Sequence, residues 1–368
     1  MKKILSLFLC CLMVLTLTGC GGSNGDDITT YTYSSELDIK NLDSSDEDDG
    51  CSLKAIHAVI DGLTKTDKKG NIVNGVAKSE ELSEDGLTHT YKLRKDVKWT
   101  NGDPVTAHDF VYAWQRIFRK KGSYYYMFAD GIASIEGAQE LSDKIDAGEE
   151  LTDDDLNSMG VKAIDDYTLE VKTTVRVSFF DELMAFPCFF PINEKFCEKQ
   201  GDKYGKSAKA ILGNGAFIMT NWEPGSIAEF KKNEDYYDAK TVKIEKLVMK
   251  LVQDPKVAAQ SFMAGETDYA PITSDLVDKY KDDESFKQVP EGFLYYLSVN
   301  FQNEDLANAN IRQAVSLSIN RNDLCEKVLK DGSSAATGFI PKGVATSPDG
   351  VDFRKDSGNF TSYDKKKA

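Results

Sequence analysis

The sequence predicts an α/β protein, and three observations carry that prediction. Residues 84–110, EDGLTHTYKLRKDVKWTNGDPVTAHDF, switch period: strand-like alternation gives way, across a turn, to a helical apolar face. Residues 243–270 read as strand, helix and strand, a succession that needs a parallel sheet flanked by helices. The protein also has 368 residues, 41% of them hydrophobic and 10% aromatic, which is enough material for the cores of two or three domains.

At the start, Lys2 and Lys3 precede the apolar run ILSLFLCCLMVLTLTG, which has the length and small-residue ending of a signal peptide and is too short to predict a membrane span. Leu17-Thr18-Gly19-Cys20 resembles the lipobox of bacterial lipoproteins. That resemblance implies a diacylglycerylated Cys20 as mature N-terminus, and Gly-Gly-Ser-Asn-Gly-Asp-Asp after it suits a flexible tether. Residues 29–33 alternate Thr and Tyr as a first strand would. Residues 53–63 read as a helix with Ile56, Val59, Ile60 and Leu63 on one side.

In the period-switching stretch, Leu87, His89, Tyr91, Leu93, Val97 and Trp99 alternate with polar residues, so one strand is expected from 87 to 99 with Tyr91 and Trp99 in the core. Asp85-Gly86 and Asn101-Gly102-Asp103-Pro104 supply the flanking turns. Thr106 and Asp109 form a capping-box-like start, and Phe110, Val111, Trp114, Ile117 and Phe118 follow on one helical face. Residues 143–157 are acidic and are expected to be a solvated excursion, while 161–172 reads as a hairpin about Asp165-Asp166. The aromatic run 179–196 is expected to be core, because surfaces rarely carry apolar patches that large. Beyond it, 243–252 is a strand, Pro255 opens a helix, and 267–270 and 293–301 are further strands; 311–317 and 324–329 are helices.

Asp plus Glu number 60 against 45 for Lys plus Arg, a net charge of −15 that repels nucleic acid and anionic lipid. Seven cysteines and three histidines show neither CxxC nor HExxH spacing, so no metal site is expected. A Cys188–Cys197 disulfide is one open possibility, its geometry unfixed by sequence. The G-x-G at Gly213 and Gly215 lacks a following GK[ST] and does not read as a phosphate loop. With no nucleophile elbow and no Cys–His pair in a plausible context, no catalytic residue and no cofactor are assigned, and the protein is not expected to be an enzyme.

The wording of the stretch is more specific than its periodicity. Ala77, Glu84-Asp85-Gly86-Leu87, Tyr91, Leu93-Arg94, Val97, Trp99, Asn101-Gly102-Asp103, Val105-Thr106-Ala107 and Asp109-Phe110 closely resemble the signature of family 5 extracellular solute-binding proteins, the oligopeptide- and dipeptide-binding subunits of ABC importers. Tyr124-Tyr125-Tyr126, the turn at Gly213-Asn214-Gly215, Tyr237 in the place of a Trp, and NIRQAVSLSINRNDLCEKVL continue the resemblance. It implies a bilobal fold of the type II periplasmic-binding-protein class with an extra domain inserted in lobe one. The expected division is a signal peptide at 1–19, a lipidated tether at 20–28, lobe one at 29–52 and 176–290, the insert at 53–175 and lobe two at 291–368. Lobe two, roughly 80 residues against ~100 to 150 for a usual domain, is expected to be incomplete, the sequence being truncated at its C-terminus and ligand binding weakened.

The resemblance also implies a site. Ser35-Glu36-Leu37, followed by Leu42-Asp43, resembles the opening loop that touches the ligand, with Ser44 where relatives carry Pro. An enclosed peptide site needs backbone donors and acceptors and aromatic walls, for which Tyr125, Tyr126, Tyr295 and Tyr296 are the candidates. The implied partners are an oligopeptide, the permease subunits of an ABC importer, and the membrane through the lipid on Cys20, with the protein monomeric on the outer face of the bacterial cytoplasmic membrane. The same fold also serves nickel complexes, haem and sugars in relatives, and these stay open as ligands.

Overall fold

The computed structural model describes residues 29–289, 291–347 and 349–368. Residues 1–19, Cys20 and the tether 20–28 therefore lie outside the described residues. The protein forms two compact units: one of the described residues through Asp254 together with Ser261–Ala270, the other of Pro255–Gln260 and Pro271–Ala368.

The first unit holds two four-stranded sheets. In one, strand β1 (Thr30–Ser35) pairs in parallel with β10 (Lys246–Leu251), Tyr33 opposite Met249, and β9 (Ile227–Lys232) and β8 (Phe217–Glu223) continue antiparallel. On the other edge of β1, Tyr269 bridges Tyr33 in parallel: the Ser34 N–H donates to the Tyr269 carbonyl at 3.0 Å and the Asp268 N–H to the Thr32 carbonyl at 2.7 Å. The backbone thus leaves β10, runs through helix Pro255–Met263 and returns parallel, with β1 lying between the two segments. Over this sheet, helix α1 (Gly50–Val59) turns Ala55, Ile56 and Val59 into a core shared with Met219, Ala228, Phe230 and Met249.

The helix starts three residues earlier than its apolar spacing suggests. Asp49, the last of the four acidic residues 46–49, accepts the N–H groups of Cys51 and Ser52, and this capping fixes the first turn. It also stops earlier. Ile60 is extended, and the next N–H, of Asp61, goes to the Asn214 side chain at 2.9 Å. The G-x-G there serves close packing: a Cβ at Gly213 would lie 2.2 Å from the Val59 carbonyl.

After α1, a short antiparallel ribbon of β2 (Thr64–Thr66) and β3 (Ile72–Asn74) leads to the second sheet. That sheet, in the order β4 (Ala77–Leu82), β5 (Thr88–Leu93), β7 (Thr168–Lys172), β6 (Val161–Asp165), is wholly antiparallel, β6 and β7 being the expected hairpin. Strand β5 ends at Leu93 rather than at residue 99, because its ladder partners end there: the Leu93 N–H turns to the Tyr167 carbonyl and the Arg94 N–H to the Val76 carbonyl. Val97 and Trp99 follow in irregular backbone yet remain 1% exposed, as does Tyr91. Helix α2 (Ala107–Arg119) packs Phe110, Trp114, Ile117 and Phe118 into the same core as Phe128, Phe180 and Phe189, so most of the aromatic run 179–196 is interior. The Asp109 carboxylate accepts the Thr106 N–H at 2.7 Å, the expected box contact.

The acidic stretch 143–157 is exposed over most of its length, as expected, but it is built on two short helices rather than on irregular backbone. Helices α3 (Ala138–Asp146) and α4 (Asp153–Asn157) bury Leu141 and Leu156, joined by a Lys144–Asp155 ion pair and capped where Thr152 and Asp155 exchange hydrogen bonds. The charges face water, while Leu156 within the stretch and Leu141 just before it are buried.

In the second unit, helices Ser274–Tyr280 and Ala309–Ser318 form, and Leu324–Leu329 is a π-type turn. Residues 293–301 are not a strand. No segment among the described residues pairs with them, and β propensity without a neighbouring strand gives no ladder.

Candidate functional site

Ser35 is the last residue of β1, and Glu36 and Leu37 follow it, at the carboxyl end of a parallel strand, where open α/β sheets present their ligand loops. Three elements pin the loop. From the segment after β10, the Val252 N–H donates to the Ser35 carbonyl at 2.8 Å. From the β8–β9 turn, the Gly225 N–H, at φ +80°, donates to Asp38 Oδ2 at 2.5 Å, while Asp38 Oδ1 accepts the Ile39 N–H at 2.9 Å. From the first turn of α1, Cys51 Sγ donates to the Leu37 carbonyl at 3.1 Å; Ser35 Oγ donates to the same oxygen at 2.6 Å. The N–H groups of Glu36 and Leu37 have no partner among the described residues, and the Leu37 side chain is 64% exposed. A fixed loop with unspent backbone donors suits a ligand made of peptide units. Beside it, Tyr33 is pushed up to about 12, by burial first and then by Cys51 and Tyr31, so its phenol stays neutral at physiological pH.

The tyrosine bend is a single 3-10 turn, Tyr125–Phe128. Tyr124 Oη donates to the Asp48 carbonyl at 3.3 Å, which ties the bend to the segment that caps α1. Tyr125 Oη is committed to Asp146 at 2.6 Å, and Tyr126 is half exposed. In the second unit Tyr295 and Tyr296 are 90% and 68% exposed, Tyr296 lying 5.8 Å from the Phe339 ring. Of the sequence-predicted residues, then, Ser35, Glu36 and Leu37 are consecutive in one loop of the first unit, Tyr125 and Tyr126 belong to that unit's tyrosine bend, and Tyr295 and Tyr296 belong to the second unit.

Sequence reasoning missed two buried polar clusters in the same unit as this loop. Just beyond the loop, the buried Asp43 carboxylate accepts both terminal nitrogens of Arg116, at 2.7 and 2.8 Å, and the guanidinium lies 5.3 Å from the centre of the Tyr204 ring. At the far end of α1, Asp61 Oδ2 accepts the hydroxyls of Tyr236 and Tyr237 at 2.5 and 2.9 Å, and burial pushes its carboxyl up. Their partners are distant in sequence, but buried Asp and Arg are rarely left unpaired, and that rule was the available signal. Cys51, Cys188, Cys197 and Cys325 are all free thiols. The open Cys188–Cys197 alternative is not formed: Cys188 packs in the core 3.9 Å from Met127 Sδ, and burial pushes both thiols up.

The parallel strand pair, the crossover that straddles β1 and the loop at its carboxyl end define an α/β binding protein of the type II periplasmic class. The protein belongs to the bacterial extracellular solute-binding proteins of family 5, whose profile, described as "Bacterial extracellular solute-binding proteins, family 5 Middle", matches residues 71–368. Dipeptide-binding protein DppE of Bacillus subtilis (strain 168) is 32% identical over 317 residues, covering 86% of this chain and 56% of that protein. The pheromone receptor PrgZ, solved to show its structure and mode of peptide binding, superposes with a TM-score of 0.80 at 28% identity, over 92% of this chain and 66% of that one. Listeria monocytogenes OppA bound to peptide gives 0.75 at 29%, over 93% and 67%. The sequence thus spans between about half and two thirds of the length of these relatives. No helix among the described residues is long and apolar enough to cross a membrane.

Proposed function

We propose that the protein captures short peptides outside the cytoplasmic membrane and delivers them to the permease of an ABC importer. The observation that carries the reading is the loop of Ser35, Glu36 and Leu37, rigid, at a strand's carboxyl end, with free backbone donors, in a protein similar to others described as dipeptide- and oligopeptide-binding. Backbone recognition tolerates varied side chains, which a peptide scavenger requires. Tyr125, Tyr126, Tyr295 and Tyr296 supply aromatic surface to the ligand. The protein works as a monomer, held to the outer face of the membrane by acyl groups on Cys20, since two or more of them make such attachment stable.

Calorimetry of the 368-residue protein with a tripeptide-to-pentapeptide library tests the reading, together with mass spectrometry of ligand retained on purification. Saturable heat and a co-purifying peptide are expected. Absence of both, or retention of a metal complex, haem or sugar instead, would overturn it. For the anchor, Cys20→Ser should release the protein from the detergent phase; unchanged partitioning would refute lipidation.

A further inference from the structure

We propose that Cys51 is a positioning residue for the ligand loop, its thiol fixing the Leu37 carbonyl and so the direction of the free N–H groups beside it. This rests on the peptide-binding reading above, to which it adds the group that preorganises the loop.

The argument begins at the acidic run. Asp49 caps α1 by accepting the Cys51 and Ser52 N–H groups, both at 3.0 Å, and its other oxygen accepts Ser52 Oγ at 2.6 Å. The first turn of the helix is thereby fixed, and with it two side chains that reach across to the loop. Ser52 Oγ accepts the Lys40 N–H at 2.9 Å, downstream of the ligand residues. Cys51 Sγ meets the Leu37 carbonyl within them, and lies 3.6 Å from Ser35 Oγ and 3.8 Å from Met249 Sδ on β10. A carbonyl oxygen has two lone pairs, and here both are used, one by Ser35 from within the loop and one by Cys51 from a different element.

Val252 holds the loop at Ser35 and Gly225 holds it at Asp38, but the Leu37 carbonyl between them is held from within the loop by Ser35 and from another element by Cys51 alone among the described residues. Burial pushes the Cys51 thiol up, ahead of the smaller effects of Ser35, Asp49 and Asp38, so the sulfur keeps its proton and acts as donor. A thiol is a weak donor, and the gain is in order rather than strength: a loop already held in its bound form gives up less conformational freedom when a ligand arrives.

The test compares the 368-residue protein with its Cys51→Ala and Cys51→Ser variants. Two readouts are needed: amide order parameters at Glu36 and Leu37 without ligand, and affinity for the tripeptide-to-pentapeptide library. In the parent both amides should be rigid, at about 0.85, and in Cys51→Ala they should fall toward about 0.6. Affinity should weaken about fivefold, the equivalent of one net hydrogen bond. Cys51→Ser, which keeps a donor, should restore both. Unchanged order parameters in Cys51→Ala overturn the proposal whether or not peptide binds, and so does loosened order with unchanged affinity. If the parent itself binds no peptide, the functional reading fails by itself, and the order parameters still decide whether Cys51 holds the loop.

Discussion

Removing the Asp43 carboxylate would leave a guanidinium in the core without its counter-ion. Asp43 is 2% exposed and Arg116 9%, and their bidentate contact, at 2.7 and 2.8 Å, is the one ion pair Arg116 makes among the described residues. Asp43→Ala leaves Arg116 with the Tyr204 ring, and removes the acceptor of the Ser45 N–H at 3.1 Å. Losing one member of a buried pair costs about 3 to 5 kcal/mol, because the remaining charge is still desolvated. The double variant Asp43→Ala with Arg116→Met removes that charge, and should recover at least about 2 kcal/mol of the loss. Urea unfolding followed by tryptophan fluorescence suits the measurement, since all three tryptophans, Trp99, Trp114 and Trp222, lie in the same unit as the pair. A single variant within about 1 kcal/mol of the parent, or a double variant no more stable than the single, would refute the reasoning.

Two further predictions concern the same core. Trp99 is 1% exposed and its Nε1 donates to Asp109 at 3.3 Å, so Trp99→Ala should cost about 3 to 5 kcal/mol in urea unfolding; a variant that melts like the parent but loses peptide would reassign Trp99 to the ligand. Asp109 is pushed up to about 6 by burial, against hydrogen bonds from Thr106 and Trp99. The folded state therefore holds this proton more tightly than the unfolded state does: the contribution is complete below about pH 4 and is lost as pH rises through 6, about 3 kcal/mol in all. Asp109→Asn should remove that component from the stability–pH profile between about pH 4 and 6, and a superimposable slope would show that the carboxyl ionises freely in the fold.

What the sequence disclosed depended on how far apart the interacting residues lie. The β5–α2 stretch was legible because alternation, turn residues and the Thr106–Asp109 box each act within a few positions, and the core roles of Tyr91 and Trp99 followed from that periodicity. The helices in 138–157 are hard to see because charge dominates their composition, although Thr152 and Asp155 carry the same T-x-x-D cap signal as Thr106 and Asp109. The strand expected at 293–301 shows the opposite failure. FLYYLSVNF has the residues of a strand, but a strand is a relation between two segments, and propensity describes only one.

The ligand loop combines the two cases. Its text was recognisable, whereas what fixes it in space comes from Cys51, Gly225 and Val252, which lie 14, 187 and 217 positions from the groups they hold. In the sequence, the acidic run of Asp46, Glu47, Asp48 and Asp49 says nothing of how the loop is held. In the fold Asp49 is the cap that sets the first turn of α1, and so aims Cys51 and Ser52 at either side of the loop. A charge run usually signals a solvated face, but a helix N-terminus is where carboxylates find unpaired N–H groups. Of the acidic run, Asp49 therefore acts on the loop, through Cys51 and Ser52. Asp49→Ala should consequently loosen Glu36 and Leu37 as Cys51→Ala does, although Asp49 touches neither of them.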